Sequence, residues 1–231
     1  LIKISTTENV SELYRHINHG SDLLLVTFVN AFSYYDMSRE MQTEIDYFFS
    51  DGILLTKLNN VFYSDKVERL SFDSTSLAYP CFEFFEKNEV NVALVGANKD
   101  EINNFSKFIK NKFPLLKLKY VSSGYIKDED KREVLERSLE SDVIIVGMGF
   151  PYQEDFLLEL KRCHRSSSQL KLALTCGGFF TQHQDSDYYP KIIDKLELRW
   201  LYRIIFAKHV RRKFFTKYPH FILRYIINAL F

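Results

Sequence analysis

The run Val143-Ile-Ile-Val-Gly-Met-Gly-Phe-Pro-Tyr-Gln-Glu154 limits the possible folds of this chain more than any other segment. Val143 to Val146 is a continuous apolar stretch that reads as a buried strand, and it stops at Gly147 and Gly149. Pro151 then opens an amphipathic segment, Pro151 to His164, with Pro at a favoured first-turn position of a helix. A strand apolar on both faces needs cover on both, which a parallel sheet flanked by helices supplies. The turn sets a helix N-terminus at the carboxyl end of that strand. Open α/β sheets bind ligands there, and backbone N–H groups favour anions such as phosphate.

The same rhythm extends along the chain. Leu23 to Val29, Val90 to Val95 (closed by Gly96), Leu116 to Val121 and Leu170 to Thr175 read as further strands. Phe32 to Phe49 carries helix-like spacing. Helices are expected over Ile53 to Phe62, over Ser74 to Lys87 with Asp73 or Ser74 as N-cap, over Lys99 to Lys112 before Pro114, and over Glu129 to Glu140. Strands separated by helical segments predict parallel βαβ units, hence a Rossmann-like α/β fold with a mostly parallel sheet. The pattern changes near Tyr188, beyond which helices and no strand are expected. The predicted organisation is an α/β body over residues 1–187 and a basic-aromatic helical appendage over residues 188–231.

The chain has 231 residues, 46% of them hydrophobic, so it can bury a sizeable core. Its net charge is only +1, which gives no global field for nucleic acid. From Lys191 onward, however, ten basic residues face only Asp194 and Glu197, a local balance of +8 that calls for an anionic partner. Cys81, Cys163 and Cys176 fit neither a disulfide framework nor a zinc ribbon, and point to a reducing, cytoplasmic setting. Lys3, Glu8, Glu12 and Arg15 interrupt any leader pattern, and no apolar run is long enough to span a membrane. The first residue is Leu rather than Met, so further residues are expected upstream. The aromatic share of 16% is compatible with a Phe-rich core or with self-association into a homo-oligomer.

Five places could carry chemistry, and each has a plainer explanation. Asn30, after the first strand, could hold a sugar hydroxyl or cap the segment that follows. Asp51-Gly52 is either a turn or a general base beside a close backbone approach. Arg69, shortly before a helix start, could fork onto a diphosphate or form a surface ion pair. Gln153 and Glu154, after Gly149, could bind a nucleotide or sugar edge, although a first-turn Glu also complements the helix dipole. Gly177-Gly178 forms a second close-approach turn, and Cys176 beside it reads as packed rather than reactive. The triplets Asp128-Glu-Asp130 and Asp185-Ser-Asp187 have the look of metal-holding acids, but helix capping explains the first, and no metal is assigned to either.

Taken in order, Asn30, Asp51-Gly52, Arg69, the strand Val90 to Gly96, Gly124-Tyr125, Gly149-Phe-Pro-Tyr-Gln-Glu154, Gly177-Gly178 and Leu198-Arg-Trp-Leu-Tyr-Arg203 resemble the WecG/TagA/CpsF family of bacterial glycosyltransferases, glycosyltransferase family 26. The resemblance runs from about Leu23 to about Tyr218. It implies an inverting, metal-independent enzyme with no cofactor, working in surface polysaccharide synthesis. Such an enzyme moves a sugar from a UDP-sugar donor to a sugar on a polyprenyl-diphosphate acceptor. It implies Asp51 as the base, Asn30 and Gln153 as active-site polar residues, Arg69 as a substrate-binding arginine, and a basic C-terminal segment that completes the site near the membrane. Four places depart from the family pattern: Phe28 where many members have Thr, Tyr152 where many have Lys, the stretch around Thr181 where an Asp is usual, and Tyr188-Tyr189-Pro190 in place of Arg-Ala-Pro. The segments Phe72-Asp-Ser-Thr-Ser76 and Cys176-Gly-Gly-Phe179 look closer to the capsule and exopolysaccharide branch.

Without a metal, charge on the departing UDP has to be met by backbone N–H groups and by Arg69 with one or more of Arg203, Arg211 and Arg212. The tail interleaves these charges with Phe206, Phe214, Phe215, Tyr218, Phe221, Ile222, Tyr225 and Leu230, a mix suited to a helix on the anionic inner face of the cell membrane. The plainer alternative is a solvated helix packed on the body. A non-catalytic nucleotide-binding or assembly subunit is the competing functional class.

Overall fold

The computed structural model describes residues 2–182 and 208–230, with side chains in the second segment from residue 217 onward. Six strands form one sheet: β1 (Leu24–Val29), β2 (Tyr47–Ser50), β3 (Asn91–Gly96), β4 (Lys117–Ser122), β5 (Val143–Gly147) and β6 (Leu172–Thr175). Their order is β2-β1-β6-β5-β3-β4, and every neighbouring pair is parallel. Helices α1 (Thr7–His19), α2 (Arg39–Glu44), α3 (Ile53–Phe62), α4 (Ala78–Lys87), α5 (Lys99–Lys112), α6 (Lys131–Ser138), α7 (Tyr152–Cys163), α8 (Phe179–Gln182) and α9 (Lys208–Leu230) accompany it.

Alternation along the strands divides the core into two layers. Leu25, Val29, Ala93, Val95, Ile144, Val146 and Ala173 face the layer that holds α6, α7 and the buried residues of α9. Val26, Phe49, Val92, Leu94, Val143, Ile145, Leu172 and Leu174 face the opposite layer, with α1, α4 and α5. Period-2 strands covered on both faces therefore account for the continuous apolar runs. Because α5 follows β3 on one face and α7 follows β5 on the other, the chain diverges above these adjacent strands. That divergence opens a crevice at their carboxyl ends.

The sequence reading fails in three places. Phe32 to Phe49 is not one helix: only Arg39–Glu44 is helical, and Tyr47–Ser50 is the edge strand β2. Pairing with β1 in register (Val26 with Tyr47, Val29 with Ser50) decides this, a partner that local spacing does not encode. α4 starts at Ala78 rather than near Ser74, because Asp73 Oδ1 accepts from Thr75 N (2.8 Å) and Thr75 Oγ1 (2.7 Å) and closes a separate turn. The N-terminal helix α1, missed in the sequence, is opened by a capping box between Thr6 and Asn9 and buries Val10, Leu13 and Ile17.

The C-terminal helix docks on the body through one stripe. Phe221 and Tyr225 are buried among Tyr34, Tyr35, Phe62 and Tyr63. Tyr225 Oη donates to Asn59 Oδ1 (3.4 Å). These aromatics, together with Ile222, which packs partly buried against the same cluster, are therefore taken by the protein core and are not the residues of α9 that could enter a bilayer. Leu223, Ile227 and Leu230, spaced for the opposite stripe, are exposed. Among the described residues no helix is long and apolar enough to cross a membrane.

Candidate active site

Asp51 and Arg69 meet at the carboxyl end of β2. The Asp51 amide donates to the Val29 carbonyl (2.8 Å), extending the β1–β2 ladder by one residue. Leu70 N donates to the Ser50 carbonyl (2.9 Å), which lays the Arg69–Leu70 segment along the end of β2. Across that seam Arg69 Nη2 lies 3.6 Å from Asp51 Oδ1 and 3.2 Å from Asp73 Oδ2. Ser71 Oγ also donates to Asp73 Oδ2, at 2.7 Å. Burial alone would raise the Asp73 carboxyl. Hydrogen bonds from Thr75 and Ser71, with the Arg69 guanidinium, outweigh it and hold the group below its ordinary value. Asp73 is thus a fixed anion that anchors Arg69, while Asp51, with its side chain 37% exposed, stands on the open side.

Asn30 lies in the same corner. Its Oδ1 accepts from Phe32 N (2.9 Å), and its carbonyl accepts from the Ser33 and Tyr34 amides, so it closes the turn over residues 31–36 rather than capping a helix. Among the described residues nothing takes its Nδ2. A Cβ built on Gly52 would sit 3.3 Å from Asn30 Cβ, which shows how closely the two turns approach. From α9, Tyr218 stands edge-on to Phe32 with ring centroids 5.0 Å apart. Burial, and then the charge of Asp51, push its phenol up. Lys217 Nζ, next to it, is 3.3 Å from Asp36 Oδ2. The C-terminal helix therefore borders the Asn30–Asp51 corner. The sequence reading placed Tyr218 among the tail aromatics only, and nothing local marks it as a neighbour of Asp51.

The glycine turns lie at the middle of the sheet. Gly149 (φ 75°) follows β5, and Gly177 (φ 55°) follows β6. No atom lies within 4 Å of a Cβ built on either, so both are required for their left-handed backbone rather than for space. Gly178 differs, since a Cβ there would meet the Gln182 side chain. Gly96 and Gly147 are register partners on β3 and β5; a Cβ on Gly96 would strike the Gly147 backbone, and one on Gly147 would strike the Phe180 and Cys176 side chains.

Gln153 and Glu154, in the first turn of α7, both point inward and are buried. Thr27 Oγ1 donates to Glu154 Oε1 (2.7 Å), and Gln153 Nε2 donates to the same oxygen (2.9 Å). Gly177 N in turn donates to Gln153 Oε1 (3.1 Å). The two side chains thus join β1, α7 and the turn after β6. Burial raises the Glu154 carboxyl above its ordinary value, against the lowering pull of the Gln153 and Thr27 hydrogen bonds.

On the far edge, a pocket of about 270 Å³ straddles the end of β4, between Lys99, Asn103, Ser122, Ser123, Tyr125 and Asp130. Cys176 is buried, and burial pushes its thiol well up, as expected of a packed cysteine. Arg203 lies outside the described residues, as do the side chains of Arg211 and Arg212 and both acids of Asp185-Ser-Asp187. Among the described residues no group of three His, Cys, Asp or Glu side chains could hold a metal ion.

The geometry joins a partly exposed carboxylate, an anchored arginine and a strand-end amide at one end of a crevice whose centre is lined by glycine turns. Known proteins resemble this chain in sequence. The family model described as "Glycosyl transferase WecG/TagA/CpsF family" matches residues 2–231. A Shigella boydii protein named UDP-Gal:alpha-D-GlcNAc-diphosphoundecaprenol beta-1,4-galactosyltransferase is 40% identical over 210 residues, covering 89% of this chain and 87% of that one. A Staphylococcus aureus (strain NCTC 8325 / PS 47) protein named N-acetylglucosaminyldiphosphoundecaprenol N-acetyl-beta-D-mannosaminyltransferase is 23% identical over 208 residues, covering 87% and 79%.

Proposed function

The chain belongs to the WecG/TagA/CpsF family of glycosyltransferases, and from that premise we propose that it transfers a hexose from a UDP-hexose to N-acetylglucosamine carried on a polyprenyl diphosphate. The acceptor is drawn from the names of both relatives, which specify N-acetylglucosaminyl-diphosphoundecaprenol, and the UDP-sugar donor from the name of the Shigella boydii relative. The 40% identity to the galactosyltransferase favours galactose as the sugar moved.

The observation that carries this reading is the Asp51–Arg69–Asp73 arrangement beside Asn30. In the proposed reaction Asp51 accepts the proton of the attacking acceptor hydroxyl. The hydroxyl oxygen forms a bond to the anomeric carbon from the face opposite UDP, and the bond from that carbon to the diphosphate oxygen breaks. UDP leaves with the electron pair, and configuration inverts. A metal ion has no part in this scheme. Charge developing on the diphosphate would meet backbone N–H groups of the Gly149 and Gly177 turns and the guanidinium of Arg69. Arg203, Arg211 and Arg212 remain candidates for the same task. Asn30 Nδ2 would donate to a sugar hydroxyl, and the pocket at the end of β4 would receive the nucleoside. Five interstrand steps of about 4.8 Å separate β2 from β4, so on the order of 24 Å of sheet edge would accommodate donor and acceptor end to end.

The acceptor lipid would bring the enzyme to the membrane surface. The exposed stripe Leu223, Ile227 and Leu230, on a helix with Lys217 and Arg224 and no acidic residue, supports a peripheral contact with anionic lipid on the cytoplasmic face. The decisive assay incubates the chain with single UDP-sugars and a short-chain polyprenyl-diphosphate N-acetylglucosamine, and measures UDP release together with the disaccharide-lipid product. Product formation with UDP-galactose, abolished by Asp51→Asn, is the expected result. Turnover that survives Asp51→Asn in a folded protein removes Asp51 from the chemistry.

A further inference from the structure

Glu154 is the most deeply buried ionisable carboxyl near the crevice, at 1% exposure, and the reaction scheme above does not use it. It lies in a layer built from Phe156, Leu157, Ile144 and Val146. Among the described residues no cation pairs with it. Its two oxygens have unequal surroundings. Oε1 accepts from both Thr27 Oγ1 and Gln153 Nε2, while Oε2 is buried and has no partner among the described residues. A carboxylate with one bare oxygen in such a place would carry a large desolvation penalty. A carboxylic acid fits the geometry: Oε1 is its carbonyl, and Oε2 carries the proton. Thr27 Oγ1 also contacts Thr175 Oγ1 at 3.0 Å, so the same knot holds β1 to β6.

Gln153 is what the knot restrains. An unsupported Gln side chain has several rotamers, and ordering it costs entropy. Here its Nε2 is tied to Glu154, which leaves Oε1 aimed at Gly177 N. That bond holds Gly177, the first residue of the Gly177-Gly178 turn, in its left-handed backbone conformation. We propose that Glu154 is a positioning residue for the donor: as a hydrogen-bonded carboxylic acid it fixes Gln153, and through Gln153 it sets the Gly177 turn that meets the sugar nucleotide. This assignment differs from the direct substrate contact expected of Glu154 from the sequence, and it rests on the sugar-transfer reading.

The test compares Glu154→Gln, Glu154→Ala and Thr27→Val with the unmodified chain, measuring kcat and separate KM values for UDP-sugar and acceptor. Glu154→Gln keeps the neutral, hydrogen-bonding shape, so its donor KM stays within about twofold, and its kcat–pH profile overlays that of the parent. Glu154→Ala frees Gln153 and raises the donor KM about tenfold, with the acceptor KM unchanged, the size expected for one or two lost hydrogen bonds. Thr27→Val removes one donor at constant volume and gives a rise of about threefold. The idea is overturned if Glu154→Gln is as impaired as Glu154→Ala, since an ionised carboxylate would then be what matters. It is equally overturned if the donor KM of Glu154→Ala is unchanged, or if donor and acceptor KM rise together. Should Glu154→Ala fail to fold, an unaltered donor KM in Thr27→Val has the same force. A parent chain that turns over no UDP-sugar defeats the functional reading instead, so the two failures are distinguishable.

Discussion

Arg69 Nη2 lies 3.6 Å from Asp51 Oδ1 and 3.2 Å from Asp73 Oδ2, so a single guanidinium nitrogen bridges the two carboxylates. The pair is therefore asymmetric. Asp73 is satisfied by Ser71, Thr75 and Arg69 and its side chain is 22% exposed, whereas the Asp51 side chain is 37% exposed. In the proposed reaction the anchored Arg69 keeps its geometry while Asp51 gains and loses a proton, and it remains a cation available to phosphate. Replacing Arg69 with Lys keeps the charge but loses the planar guanidinium, whose Nη2 bridges the two carboxylates while its other N–H groups stay available to a phosphate. We expect Arg69→Lys to lose most of kcat/KM and Arg69→Ala to lose at least as much. Asp51→Asn should lower kcat by about 10²–10⁴-fold, the usual contribution of a positioned base, with little change in melting temperature. Steady-state kinetics beside thermal melts check all three.

Asp73 gives a pH signature. Its folded carboxyl is held below its value of 3.8 in an unfolded chain, so the folded state binds the proton less tightly. The resulting stability is present above that pH and is lost as pH falls through the folded value. Asp73→Asn should therefore destabilise the protein at pH 7 by about 2 kcal/mol, on the scale of hydrogen bonds to a charged group. The gap to the parent should shrink below about pH 3.8. Denaturant melts at pH 7 and pH 3 measure it, and a constant gap would count against the ionised role.

Glu154 has the opposite sign. Its folded carboxyl is raised above 4.5, so its stabilising effect is present below that pH and fades as pH rises toward the folded value. Glu154→Gln should therefore gain stability relative to the parent as pH increases from 4 to 8. Thermal melts across that range give the trend, and a difference that stays flat with pH would contradict a protonated Glu154.

The two stripes of α9 should separate by experiment. Phe221 is 2% exposed against Tyr34 and Tyr35, so Phe221→Ala should cost about 3 kcal/mol and loosen the helix from the Asp51 corner. Replacing Leu223, Ile227 and Leu230 together with Ser should leave the melting temperature within about 2 °C, since surface changes away from packing are small. It should nevertheless reduce sedimentation with phosphatidylglycerol vesicles. Unchanged vesicle binding would exclude this stripe from the membrane contact.

At Gly177 the cost should be purely conformational. Its φ of 55° disfavours an L-residue by about 1–2 kcal/mol, and nothing crowds a Cβ there. Gly177→Ala should show that loss in denaturant melts and a raised donor KM. A substitution without effect on either would mean that the turn is neither strained nor in contact with the donor.

Much of this fold can be read from the sequence alone. The apolar runs at Leu23, Val90, Val143 and Leu170 identify buried strands because only a sheet covered on both faces tolerates them. The end of Lys99–Lys112 is marked by Pro114 beyond it, and the structure adds Asn98 as the cap that opens the helix. Gly149 and Gly177 stand out because few residues adopt their backbone. These signals are local, and the chain carries them whatever surrounds it. The rest depended on partners distant in sequence. Tyr47–Ser50 became a strand only because β1 lay ready to pair with it. Glu154, on a helix's first turn, suits solvent and dipole equally well by local rules. Thr27, 127 residues away, decided that it turns inward. Asp51 looked like an ordinary turn until Leu70 docked on Ser50 and α9 brought Tyr218 alongside. Periodicity determines which face of an element is buried. Only the packed chain determines which charges end up a few ångströms apart, because such contacts arise from the sum of every packing choice and not from any single segment.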